Sequence, residues 1–109
     1  MNVEAIELSI EHAKKAVNKM HSLERLLKNR DFKAVIGEGY FKDAAIEMVA
    51  AKALPNTQSE AMQAQIIKDI DAIGSLQKYL NLVNQFGRQA EKAIVDHEEE
   101  LTEMLKGEE

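Results

Sequence analysis

The chain has 109 residues, enough for one domain with a modest core. It is 45% hydrophobic but only 5% aromatic, has no cysteine or tryptophan, and carries a formal charge of −5. That excludes disulfides, thiol catalysis and cysteine metal sites, and a core of Leu, Ile, Val, Met and Ala suits helix-on-helix packing better than a substrate pocket.

In chain order, the first element expected is a helix over about 3–28. Val3, Ile6, Ile10, Ala13, Val17, Met20 and Leu27 follow a 3–4 alternation with Glu24 as the one polar residue on the seam. Such a pattern implies packing against one long partner. Leu23 and Leu26 widen the stripe near its C-terminal end. Asn29-Arg30-Asp31 interrupts the period. Asp31 is the expected N-cap of a short turn of helix, Phe32 to Ile36, that ends at Gly37. Gly37-Glu38-Gly39 reads as a corner with positive φ, which glycine adopts cheaply. A second helix over about Phe41–Ala53 follows, and Leu54-Pro55 stops it because the residue before proline is pushed out of the α region. The insert as a whole spans about 31–54.

Thr57-Gln58-Ser59-Glu60 has the form of a capping box, so a long helix is expected over about 58–106. At 1.5 Å per residue, the proline-free stretch from Thr57 to Lys106 would reach roughly 75 Å. Its apolar row is Ile66, Ile70, Ile73, Leu76, Leu80, Val83, Gly87, Ala90, Ile94, His97, Leu101 and Met104. Two consecutive steps of three around Ile73 and Leu76 behave as a stammer, which overwinds a coiled coil or marks a change of partner. Gly74 and Gly87 each cost about 1 kcal/mol of helix stability and are candidate breaks.

Charge is unevenly spread. From Glu11 to Lys33 there are seven bases (Lys14, Lys15, Lys19, Arg25, Lys28, Arg30, Lys33) against Glu11, Glu24 and Asp31. From Asp96 to Glu109 there are seven acids (Asp96, Glu98, Glu99, Glu100, Glu103, Glu108, Glu109) against Lys106. The asymmetry reads either as complementary pairing or a nucleic-acid footprint, or simply as solvated helix faces.

Nothing in the residues identifies a reaction. None of His12, His21 and His97 has a glutamate three residues before it, as a di-iron bundle would need, and His-Glu-x-x-His is absent. His97 falls on the apolar row and reads as a partly buried or interfacial histidine. Gly37-x-Gly39 lacks the third glycine of a dinucleotide fingerprint and no strand precedes it. Asp69 and Asp71 fall on different helix faces. Leu23 to Val49 loosely resembles a helix-turn-helix, but Lys42 and Lys52 are balanced by Asp43 and Glu47, and Phe41–Ala53 has no Arg, Asn or Gln to read base edges. No catalytic, cofactor or metal residues are expected. Met1-Asn2-Val3-Glu4-Ala5 has neither the basic start nor the apolar stretch of a secretory signal, and no run approaches the roughly 18 apolar residues that span a bilayer.

The run Leu23-Glu-Arg-Leu-Leu-Lys-Asn-Arg-Asp-Phe-Lys-Ala-Val-Ile-Gly-Glu-Gly-Tyr-Phe-Lys-Asp-Ala-Ala-Ile-Glu-Met-Val, with the later Gln65-Ile-Ile-Lys-Asp-Ile-Asp-Ala-Ile-Gly-Ser-Leu-Gln-Lys-Tyr-Leu, resembles a family of small helical proteins of tailed bacteriophages. These runs cover a little under half the chain. The resemblance implies a phage origin, a role in the virion or its assembly, and no active site.

The expected fold is all-α: a long antiparallel helical hairpin, coiled-coil-like, with a short helical insert at its tip, in one domain over 1–109. The expected function is a non-enzymatic phage structural or assembly protein that self-associates as a homo-oligomer or binds another phage protein. The alternatives are an inhibitor or adaptor that binds a host protein, or a small DNA-packaging subunit. No membrane, small-molecule or cofactor partner is expected, and the place is the virion or the host cytoplasm. The candidate interface is Gly37, Gly39, Tyr40 and Phe41 at the hairpin tip, with Ile70, Ile73, Leu76 and Leu80 on the long helix. Tyr40 and Phe41 are read either as exposed binding hot spots or as a small satellite core, with Phe41 under the Phe32–Ile36 turn.

Overall fold

A computed structural model describes residues 2–107. Among them there is no strand: the fold is all-α, as the sequence predicts. Helix α1 is Val3–Lys28. Helix α2, residues 30–52, is built from Arg30–Phe32, a wide π-type stretch Lys33–Ala44, and Ala45–Lys52. A 3-10 turn, Pro55–Thr57, leads to α3, Glu60–Gly107, which is one uninterrupted helix. No helix among the described residues is long and apolar enough to cross a membrane. The chain divides into two compact units, one of residues 1–24 with 81–109 and one of residues 25–80.

The first unit pairs α1 with the C-terminal part of α3. Asn2 caps α1, its side-chain oxygen accepting from the Ala5 N–H at 2.8 Å. On α1, Ile6, Ile10, Met20 and Leu23 are buried, and Val3, Ala13 and Val17 are half-buried. The facing row on α3 is Val83, Gly87 and Ala90, continued by half-buried Ile94, His97, Leu101 and Met104. Met20 lies directly against Gly87. Ile6, at 0% exposure the most completely covered side chain, stands fourteen positions earlier on α1, so within this unit its cover comes from α3 residues beyond Gly87. Within this unit the two helices therefore run antiparallel, as two arms of a helical hairpin do.

The seam differs from expectation at one end. Leu27 is 45% exposed, and Leu23 is buried in its place. Leu23 and Leu27 are only about 40° apart around a helix, so the difference is one of position along α1: its share of this unit ends at residue 24. Glu108 and Glu109, counted above in the acidic end, lie outside the described residues.

The second unit contains the end of α1, all of α2, the turn, and α3 to Leu80. A single residue separates α1 from α2. Asn29 is extended, at φ −68° and ψ 128°, and its side chain accepts from the Phe32 N–H at 2.9 Å. Asn29 is thus the cap, not Asp31, because a cap must stand outside the helix it closes. Asp31 sits in the first turn, where a carboxylate suits the positive end of the helix dipole.

The largest departure is at Gly37-Glu38-Gly39. No glycine has positive φ, and the helix passes straight through. The expected corner and the two separate helices Phe32–Ile36 and Phe41–Ala53 are therefore one element. Glycine permits a turn without demanding one. At roughly 1 kcal/mol each, two helical glycines cost less than leaving a turn of backbone groups unpaired. Staying helical also keeps Tyr40, Ala44 and Met48 on one side of α2, where they line a groove with Asp69, Ala72 and Ile73 of α3. Gly37 and its neighbours are consequently mid-helix residues and not the tip of a hairpin.

The turn that joins α2 to α3 is closed by side chains. The Thr57 hydroxyl donates to the Ala51 carbonyl at 2.6 Å and lies 2.9 Å from that of Leu54. Gln58 Nε2 donates to the carbonyls of Lys52 and Leu54, and Gln63 Nε2 to those of Lys52 and Thr57. These bonds occupy the carbonyls that the end of α2 leaves without a helical partner. Thr57 therefore seals the preceding helix and is buried, at 7% exposure. The cap of α3 is Ser59, whose Oγ accepts from the Met62 N–H at 3.2 Å. Thr57→Val keeps the side-chain volume but removes the hydroxyl. We expect it to cost about 1–2 kcal/mol, read as a lower urea midpoint with an unchanged slope.

Candidate interaction surfaces

The residues predicted to form an interface fall into two groups. Tyr40 and Phe41 are both half-buried, with ring centroids 5.9 Å apart and planes tilted by 46°. Tyr40 reaches the α2–α3 groove beside Ile73, which is itself buried at 7% exposure. The structure thus brings together Tyr40 and Ile73, chosen from distant parts of the sequence. Ile70 and Leu80 are half-buried. Leu76 is 36% exposed, off the inward row that passes from Ile73 to Leu80. A Cβ on Gly37 would meet nothing within 4 Å, and one on Gly39 would stand 3.2 Å from the Ala34 carbonyl of the same helix. Neither glycine receives a neighbouring element. Phe41 cannot tuck beneath the Phe32–Ile36 turn, because both belong to one helix.

Sequence reasoning passed over the other side of α2. Tyr40, Phe41, Ala44, Ala45, Met48 and Ala51 are half-buried, whereas Ile46 and Val49 are 61% and 65% exposed. Ala50 and Ala53 share that exposed side. At 100° per residue the two sets are on opposite faces. The signal in the sequence was the run Ala44-Ala-Ile-Glu-Met-Val-Ala-Ala51, which has one polar residue in eight. A helix that is apolar on both sides is normally covered on both.

On α3 in the first unit, Val95, Glu98, Glu99, Thr102, Glu103 and Lys106 form an open face on one side of the helix, without an enclosed cavity. His97 is partly buried, as its place on the apolar row predicts. Its Nδ1 is shielded from solvent, has no hydrogen-bond partner, and lies 3.7 Å from a Glu100 carboxylate oxygen. Asp69 accepts a hydrogen bond from Gln65 at 2.9 Å while Asp71 is exposed, so the two carboxylates do not converge. Among the described residues, no group of three or more histidine and carboxylate side chains is placed to hold a metal ion. Comparison with protein-family models, with curated proteins and with solved structures finds no match for this chain.

Proposed function

We propose that this protein is a non-enzymatic helical association module, working by contact between its helix faces and other protein surfaces. The observation that carries the reading is its surface. Among the described residues, Leu8, Val35, Ile46, Val49, Phe86 and Val95 are large apolar or aromatic side chains that are each more than half exposed.

The resemblance of residues 23–49 and 65–80 to small helical phage proteins supplies the setting: a structural or assembly component of a tailed bacteriophage, found in the virion or in the infected host's cytoplasm. Quantitative mass spectrometry of purified particles tests it. A structural component should be present in a fixed, stoichiometric ratio to the major capsid protein. Its absence from particles and from their assembly intermediates would remove the phage structural role.

A further inference from the structure

We infer that the groove between α2 and α3 receives one basic side chain, an arginine, from a partner protein. The inference rests on the association reading above and adds the place and the chemistry of the contact. The groove has a volume of about 230 Å³ and is lined by Tyr40, Ala44 and Met48 of α2 and by Asp69, Ala72 and Ile73 of α3, all within the residue 25–80 unit. Sites that enclose a whole small molecule run from about 300 to 1,000 Å³. This one is smaller and open to solvent, so it suits a single side chain.

Asp69 sets the charge of that side chain. It is half-buried, its Oδ1 accepts one hydrogen bond from Gln65 Nε2, and among the described residues it has no ion-pair partner. A carboxylate drawn partly out of water into mostly apolar surroundings is best compensated by a cation. The neighbouring charges do not provide one. Asp43 and Glu47 stand one position before Ala44 and Met48 and are themselves acidic. Lys42 is paired with Glu38 at 3.5 Å, and Lys68, one position before Asp69, is exposed and forms no ion pair. Asp43, Glu47 and Asp69 thus outnumber Lys68, and the groove favours a positive partner. Tyr40 selects arginine over lysine, because a guanidinium is planar, stacks on an aromatic ring and donates more than one hydrogen bond to a carboxylate. The methylene stem would lie along the apolar lining of Met48 and Ile73.

Two-dimensional amide NMR of the full chain, titrated with N-acetyl-arginine methylamide at millimolar concentrations, tests the inference. The matching lysine amide and the uncharged citrulline amide, which keeps the shape of arginine, are the comparison probes. With the arginine amide, shifts should saturate and should centre on residues 40–48 and 69–73. Asp69→Asn keeps the size of the side chain and should leave circular dichroism unchanged, yet weaken binding by about tenfold or more. Tyr40→Phe keeps the ring and should bind as the wild type does. No saturable shift, shifts centred elsewhere, or binding that survives Asp69→Asn would overturn the groove as a site for a basic side chain. Equal binding of the lysine or the citrulline amide would overturn arginine as its occupant. Either failure leaves the wider association reading standing or falling by its particle test.

Discussion

Gly87→Ala should destabilise the protein by about 1–2 kcal/mol, although the same exchange in an open helix stabilises it. Alanine in place of a helical glycine gains about 1 kcal/mol in propensity. At Gly87, however, the new Cβ would collide with Met20 Cβ and stand 2.6 Å from its sulfur. The Cβ is fixed to the backbone, so α1 and α3 must part locally. Forcing an extra carbon into a packed core costs about 1–3 kcal/mol and more when the backbone has to move, which outweighs the propensity gain. Gly74 is the internal comparison, because a Cβ there meets nothing within 4 Å. Gly74→Ala should raise stability by about 0.5–1 kcal/mol. Thermal melts of both variants decide the matter: a Gly87→Ala protein as stable as Gly74→Ala would mean that the helices do not approach closely at Met20.

A larger loss is expected for Ile6→Ala, about 3 kcal/mol. Among the described residues Ile6 is the one large side chain with no residual exposure, and Ile→Ala in a core costs about 2–5 kcal/mol depending on how far the surroundings collapse. The exposed Leu8, two residues away at 59%, provides the contrast. Leu8→Ala should change stability by less than about 0.5 kcal/mol. Chemical denaturation followed by circular dichroism measures both. Equal losses at the two positions would mean that the covered side of α1 is not the one carrying Ile6 and Ile10.

How far each element could be read from the sequence depended on whether its cause was local. Helix α1 was legible in its extent, about 3–28, because its period and the Asn29-Arg30-Asp31 interruption lie within or beside it, whereas the Asn2 cap was not read and Leu27 was placed on the covered seam. Helix α3 was legible as a long element for the same reason, although its start moved to Glu60. Glycine was where reading failed. Composition says that Gly37, Gly39, Gly74 and Gly87 could turn or kink the chain, yet all four are helical and only Gly87 serves close packing. That distinction depends on what lies opposite, and in this case the opposite residue is Met20, 67 positions away in sequence. The same limit applied to the surfaces. Tyr40 and Phe41 drew attention as aromatics, whereas the exposure of Ile46 and Val49 became visible only once Ala44 and Met48 were seen to take the inner side of α2.

The joint between α2 and α3 also bears on how a protease would meet this protein. Residues 53–56 and 58–59 are exposed and lie outside the α-helices, the profile of a segment that is usually cut first. Here, though, the carbonyls of Ala51, Lys52, Leu54 and Thr57 are all held by side chains of Thr57, Gln58 and Gln63. A protease must draw an extended strand into its cleft, so cleavage at this joint requires those bonds to release and the last turn of α2 to unravel. Nicking at residues 53–59 would then follow the equilibrium opening of the residue 25–80 unit, and its rate would fall with any change that stabilises that unit.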